Sequence, residues 1–337
     1  MIMPSTYNHN GLLFIMIKQT LCSLSTVIIS SSAFAAVALP DFSVPAEGQQ
    51  VILNVPQLRL FLFQDGKMIR TYPIAVGKMR TQTPLGKFKI GAKVQNPTWS
   101  VPVSIQKEMA AGGKTVIKSV PPGPKNPLGP VFVRLGEPKL GLGIHGTNAP
   151  SSVPGVRSHG CVRLHSKNAL DFAATVKSGS DATVIYQQAS VNVDGDNDIW
   201  VAIYRDPYNK RNLNKTNLNN SIHSWAQSHQ LKVNQQRLKA ILAKPSGVLT
   251  CISCSAGKTK VKGTLNSLQW TQGAGDIVKL RNTVPDNATQ IIPENNNVEV
   301  NEDSDYRSEP MESPIQPIIP KAKAQRNNGS QGFDNLM

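Results

Sequence analysis

Cys161 lies in Arg157-Ser158-His159-Gly160-Cys161-Val162-Arg163-Leu164, sixteen positions after His145 in Ile144-His145-Gly146-Thr147-Asn148. A thiol of ordinary pKa near ~8.5 is only a few per cent thiolate at neutral pH, so a catalytic cysteine needs a base or a positive environment beside it. His145 and His159 are the two candidate bases. Together, a thiol and an imidazole perform nucleophilic attack through a covalent enzyme intermediate.

Sixteen positions span about 50 Å extended and about 24 Å as a helix, so contact between His145 and Cys161 requires the chain to double back. The stretch Asn148-Ala149-Pro150-Ser151-Ser152-Val153-Pro154-Gly155 is dense in turn formers. It predicts that His145 ends a strand and that Cys161 returns beside it after a loop. The supporting elements read as short strands. Val51, Leu53 and Val55 alternate with polar positions, Leu58, Leu60 and Leu62 continue the pattern, and Pro56-Gln57 is either a break between two strands or a bulge within one. Asp65-Gly66 predicts a tight hairpin turn into 67–76, and further strands are expected at 86–94, 131–135 and 142–145. One helix is expected over about 167–177, with Ala169, Leu170, Phe172, Ala173 and Val176 as its buried stripe and Ser166 as its N-cap. His165 is expected at a strand end or on the surface. The proline-rich stretch 97–130 shows few strand signals and reads as a flap over a cleft. Within it Trp99 either stacks on a ligand or anchors the loop, and Lys107, Lys114, Lys118 and Lys125 form a solvated face. The fold class is therefore mainly β, a sandwich or barrel-like domain with one or two short helices.

His145-Gly146, the spacing to Ser158-His159-Gly160-Cys161 and the following Arg163 resemble the signature of the YkuD type of L,D-transpeptidases, which modify peptidoglycan. The resemblance extends over roughly residues 48–188, through Leu53-Asn54-Val55-Pro56-Gln57-Leu58-Arg59-Leu60, Pro84-Leu85-Gly86, Asn96-Pro97-Thr98-Trp99 and the run from Pro121 to Gly129. It implies that Cys161 is the nucleophile, His145 the general base, and the Gly146 carbonyl the group that orients the imidazole. The backbone amides of His159, Gly160 and Cys161 would form the oxyanion hole, Arg163 would add positive potential near the thiolate, and Ser158, Arg163 and Trp99 are the substrate-binding candidates.

The implied reaction is acyl transfer. Cys161 attacks the third residue of a tetrapeptide stem and expels D-alanine, and an amine of a second stem or of a murein-anchored lipoprotein takes the acyl group. An L,D-carboxypeptidase or hydrolase would use the same acyl-enzyme, and a non-catalytic peptidoglycan-binding module is the reading from another class. No metal and no organic cofactor is expected.

Lys18, the apolar small-residue run from Leu21 to Ala35 and Ala33-Phe34-Ala35 predict a cleavable signal peptide over 1–35, with Met16 a better start than Met1. The expected location is the periplasm, with no stable membrane insertion after cleavage. Residues 41–190, the expected catalytic domain, carry 18 Lys and Arg against 7 Asp and Glu within a chain of net charge +15. That field suits an anionic wall polymer, and the export signal disfavours nucleic acid as a partner. After cleavage the cysteines are Cys161, Cys251 and Cys254. In an oxidising compartment the local pair Cys251-Ile252-Ser253-Cys254 is free to close on itself, to act as a redox pair, or to offer half a metal site. A small α+β C-terminal subdomain is expected over 191–255, with a strand near 199–204 and a helical pattern over 221–243. Residues 256–282 remain unassigned. The tail 283–337 is expected to be disordered, because its Asn, Pro, Glu and Ser cannot bury a core.

Overall fold

A computed structural model describes residues 36–255 and 260–271; the expected signal peptide with Cys22 and the acidic tail lie outside the described residues. The first strand, Gln49–Asn54, is buried on both faces. Val51 and Leu53 point into the main core, whereas Ile52 joins Phe61, Phe63 and Ile185 under the N-terminal segment carrying Val37, Leu39 and Phe42. That double burial fits a strand paired in parallel with Asp181–Ile185 on one side and antiparallel with Arg59–Gln64 on the other. Pro56-Gln57 is thus the break between two strands. Asp65 and Gly66 both take positive φ, the turn whose twist matches the flanking strands.

Ten strands form one sheet in the order Gly155–Ser158, Ala75–Gly77, Val162–Arg163, Gly143–His145, Val131–Leu135, Gly86–Gln95, Asp181–Ile185, Gln49–Asn54, Arg59–Gln64 and Lys67–Pro73. Lys67–Pro73 lies at one edge, yet Ala75–Gly77, one residue further along the chain, lies next to the opposite edge. The sheet must therefore curl until its ends nearly meet, enclosing a core that includes Val133, Ile144, Val162 and Val184. The architecture is the mainly β, barrel-like fold that the alternation predicts.

The helix runs Ser166–Thr175 and buries Ala169 and Phe172, with Tyr72 edge-on to the Phe172 ring. Leu170, expected in the buried stripe, is 46% exposed. Ser166 does not cap the helix: its hydroxyl donates to the Thr147 carbonyl at 3.0 Å, and His165 takes the N-cap position. The 97–130 flap has more structure than its prolines suggest. Trp99–Ser100 pairs with Ser119–Val120, and Val103–Ala111 is a helix whose Ile105 and Met109, four residues apart, bury one stripe against Trp99 and Leu128. Asn126, 1% exposed, closes the flap's base by donating to the Pro97, Val120 and Pro121 carbonyls and accepting from Leu128 N–H.

The second unit of structure is a four-stranded sheet in the order Thr250–Cys251, Ile199–Ile203, Ala189–Val193 and Asn266–Ser267. It reaches past the expected boundary at 255. The helical pattern expected over 221–243 is two helices, Lys215–Ser228 and Gln235–Ala243. Gln230 turns left-handed at φ 54°, and Asn234 caps the second helix by accepting from Arg237 N–H at 2.9 Å. Cys251 and Cys254 form a disulfide, leaving Cys161 as the free cysteine among the described residues.

A buried polar chain joins the two sheets. Asp41 N–H donates to Gln187 Oε1, Gln187 Nε2 returns a hydrogen bond to the Asp41 carbonyl, and Gln187 N–H donates to Asn54 Oδ1. The Asp41 carboxylate accepts from the backbone N–H groups of Trp270 (2.9 Å) and Thr271 (2.8 Å) and from the Thr271 hydroxyl. Asp41→Ala strands those donors in the interior, where each unmade bond to a charged group is costly. The expected loss is about 2–3 kcal/mol of folding stability, read by chemical denaturation. An unchanged denaturation midpoint would show that this carboxylate does not hold the N-terminal segment.

Candidate active site

The site is set by the register of three short strands. Val131–Leu135 pairs antiparallel with Gly143–His145, Phe132 opposite His145 and Arg134 opposite Gly143. Gly143–His145 pairs in parallel with Val162–Arg163, Ile144 opposite Val162 and His145 opposite Arg163. Side chains alternate between faces, so Val133, Ile144 and Val162 enter the core while Phe132, Arg134, His145 and Arg163 share the other face. Cys161, one residue before its strand, continues that alternation and falls in the row of Gly143 and Arg134. Gly143 needs its missing Cβ here, because a Cβ would stand 2.2 Å from the Phe132 ring.

The loop that delivers Cys161 is pinned from within and from below. Ser158 Oγ donates to the Cys161 carbonyl and accepts from Gly160 N–H at 3.2 Å. Gly160 takes φ 117°, open to glycine and strained for any other residue. The loop 77–83 supports it. Lys78 N–H donates to the Ser158 carbonyl (2.8 Å), and Thr83 Oγ1 donates to the Gly160 carbonyl (2.8 Å) while accepting from Gly77 N–H (2.9 Å). That loop is held in turn by Tyr208, whose hydroxyl donates to the Gly77 carbonyl at 3.0 Å and accepts from Thr83 N–H at 3.1 Å.

His145 is fully buried, and its Nδ1 stands 2.6 Å from the Gly146 carbonyl oxygen. A carbonyl can only accept, so Nδ1 carries the proton and Nε2 presents a lone pair. Nε2 has no hydrogen-bond partner in the structure. The Phe132 ring lies over the imidazole at 6.1 Å, and Leu164 N–H fastens the His145 carbonyl at 2.8 Å. Burial, and then the Arg163 guanidinium, depress the His145 pKa to about 4. Burial pushes the Cys161 thiol up, opposed by a hydrogen bond with the Gly143 backbone and by Arg163. Both shifts favour the neutral form, of the thiol and of the imidazole. The thiol itself donates to the Gly141 carbonyl at 3.5 Å, and His145 Nε2 makes no hydrogen bond with it.

His145 and Cys161 open into one cleft of ≈ 510 Å³, roofed by the flap through Pro97, Trp99, Ile105 and Leu128. His159, within the Cys161 loop, reaches the flap helix: its Nε2 lies 3.1 and 3.2 Å from the Glu108 carboxylate oxygens. The carboxylate makes Nε2 the protonated nitrogen of His159.

Several expected roles change on this geometry. Ser158 borders the cleft but is 2% exposed, and its hydroxyl is engaged on its own loop, where it shapes the Cys161 turn. Arg163 is also 2% exposed, with Nη1 donating to Ser152 Oγ at 3.2 Å. Its cation lowers the thiol pKa, and its side chain does not line the cleft. Trp99 is 5% exposed and belongs to the flap's own core, its edge bordering the cleft. Of the three amides expected at the oxyanion hole, that of Gly160 is bonded to Ser158 Oγ, leaving those of His159 and Cys161. Sequence reasoning did not single out Thr83, Glu108, Phe132, Arg134 or Tyr208; for Phe132 and Arg134 the strand alternation over 131–135 was the usable signal.

The YkuD family model, described as the L,D-transpeptidase catalytic domain, matches residues 48–186. The chain is 30% identical over 163 residues to an L,D-transpeptidase named YkuD of Bacillus subtilis, a match covering 48% of this chain and 80% of that protein. It is 34% identical over 134 residues to the YkuD protein of Bacillus licheniformis, covering 40% of this chain and 62% of the relative. The L,D-transpeptidase named ErfK/SrfK of Escherichia coli is 27% identical over 212 residues, covering 60% of this chain and 66% of the relative. For the last two, the match spans less than two thirds of the relative's own length.

Two measurements test the site. Because His145 has a lower pKa folded than unfolded, the unfolded chain binds more protons between pH 6.5 and about 4. The stabilisation is complete above 6.5 and is lost as pH falls, by up to about 3 kcal/mol. Urea midpoints should drop more steeply with acid in the wild type than in His145→Gln, and parallel curves would refute the buried neutral imidazole. Tyr208→Phe keeps the ring stacked on Tyr186 and removes the hydroxyl that holds residues 77 and 83. Alkylation of Cys161 by iodoacetamide should then change while the thermal midpoint moves by only a few degrees; an unaltered alkylation rate would sever Tyr208 from the Cys161 loop.

Proposed function

We propose that this chain, which belongs to the YkuD family of L,D-transpeptidases, forms an acyl-enzyme at Cys161 on a tetrapeptide stem of peptidoglycan and passes the acyl group to an amine. The observation that carries the reading is that the one free thiol among the described residues and a buried imidazole line the same cleft, with Nδ1 fixed by the Gly146 carbonyl and Nε2 without a hydrogen bond. In the first half-reaction His145 Nε2 takes the thiol proton as sulfur bonds to the carbonyl carbon of the third residue. The amides of His159 and Cys161 are the donors suited to the oxyanion. Collapse breaks the peptide bond, and the imidazolium gives its proton to the departing D-alanine amine. In the second, an acceptor amine attacks the thioester, loses a proton to His145, and expels the Cys161 sulfur, which recovers that proton.

The acceptor is a second stem, giving a 3-3 cross-link; a lysine of a murein-anchored lipoprotein or water would give protein attachment or carboxypeptidase activity through the same intermediate. The Cys251–Cys254 disulfide supports an oxidising, periplasmic location. Among the described residues no helix is long and apolar enough to cross a membrane.

Incubation with a disaccharide-tetrapeptide, followed by mass spectrometry, separates the outcomes. A dimer lacking one D-alanine is expected. Free tripeptide alone would make the protein a hydrolase, and no product with an unreactive thiol would leave a binding module. Cys161→Ala should abolish product while the thermal midpoint stays within a few degrees, and a carbapenem should add covalently to the wild type and not to this variant. Full turnover in Cys161→Ala would remove the assigned nucleophile.

A further inference from the structure

Arg134 sits in the row of the nucleophile. It faces Gly143 across the sheet, and Gly143 in turn neighbours Cys161. Two interstrand spacings separate the Arg134 and Cys161 backbones by about 10 Å, and the residue between them has no side chain. The Phe132 ring fills the space over Gly143, so the guanidinium and the sulfur border the cleft on either side of that ring. The stem rests over Gly91, where a Cβ would meet its Cβ, Cγ and Cδ at 3.1–3.3 Å. The guanidinium carbon lies 5.9 Å from the centre of the Phe132 ring, which itself covers His145. Its polar contact in the structure is one long bond from Nη1 to the Pro138 carbonyl, 3.4 Å. Arg134 forms no ion pair with any described carboxylate, and it is the one Lys or Arg among the described residues that line the cleft.

An arginine held by an aromatic face, with most of its donors unused at the mouth of an otherwise largely apolar cleft, is suited to a planar anion. We infer that Arg134 is a substrate-recognition residue that binds a carboxylate of the donor stem and so sets which peptide carbonyl is presented to Cys161. The inference rests on the proposed transpeptidase reading of the same cleft. Two carboxylates of a tetrapeptide stem lie within a few bonds of the scissile carbonyl: the terminal one on the residue that leaves, and one carried by the side chain of a diamino diacid at the third position. Both offer Arg134 the same chemistry.

The test uses binding as well as turnover. Cys161→Ala protein, with and without Arg134→Gln, is titrated calorimetrically with three tetrapeptides: the free acid, the form amidated at the terminal carboxyl, and the form amidated at the third-residue side chain. Loss of one charge-assisted pair is expected to weaken binding of the free acid by roughly 10- to 100-fold in the Arg134→Gln protein. One of the two amides should bind the arginine-bearing protein as weakly as the glutamine variant does, and which amide it is identifies the carboxylate. Arg134→Lys should recover part of the loss. Equal affinity of both proteins for the free acid, or the same loss on all three peptides, overturns the inference. The wild type and Arg134→Gln with Cys161 intact are assayed in parallel. Carboxylate-dependent binding without any wild-type turnover would sink the transpeptidase reading while sustaining the role of Arg134. Turnover that ignores Arg134 would do the reverse.

Discussion

Everything at this site depends on a parallel ladder only a few residues long, in which His145 lies opposite Arg163 and Ile144 opposite Val162. A slip of one residue would turn Cys161 and Arg163 into the core and send Val162 into the cleft. So short a ladder is weak by itself. Its register is fixed by what surrounds it: the apolar side chains of Ile144 and Val162 in the core, the Leu164 amide on the His145 carbonyl, and the hydroxyls of Ser158 and Thr83 that clamp the turn before the strand. The chemistry is carried by the polar face, whereas the packing on the opposite face determines where those groups stand.

Burial of His145 explains several features that look unrelated. An imidazole without solvent resists protonation, so its tautomer must be set by a neutral acceptor, and the Gly146 carbonyl supplies one without adding a charge. Arg163 strengthens the effect, because its own cation disfavours a second one beside it while favouring negative charge on sulfur. A buried carboxylate in the Gly146 position would instead have raised the histidine's basicity and invited a resting ion pair. With burial raising the thiol pKa and lowering that of the imidazole, neither group is drawn toward a charged resting form.

Much of this was legible in the sequence, and the gaps have physical causes. Alternating apolar residues placed the strands, and the turn-rich stretch between His145 and Cys161 required the chain to return on itself. Spacing, however, fixes which face a residue occupies and not how deep it lies. That is why Ser158 and Arg163 read as substrate contacts and proved to be buried. The helix in the flap was hidden by prolines on either side, although Ile105 and Met109 carry its stripe across a single turn. Glu108, Thr83 and Tyr208 were invisible for another reason: Glu108 and Thr83 meet the Cys161 loop, and Tyr208 the loop beneath it, from segments distant along the chain that only the fold brings together.

The hydroxyl of Tyr208 gives the C-terminal extension a place in the architecture that its composition does not announce. The region recognisable as the catalytic domain ends at residue 186, yet the phenol that steadies the loop beneath Cys161 lies beyond it. The boundary drawn by similarity and the boundary of mechanical support therefore do not coincide. A module excised at the former would keep His145 and Cys161 and lose one of the struts beneath the Cys161 loop.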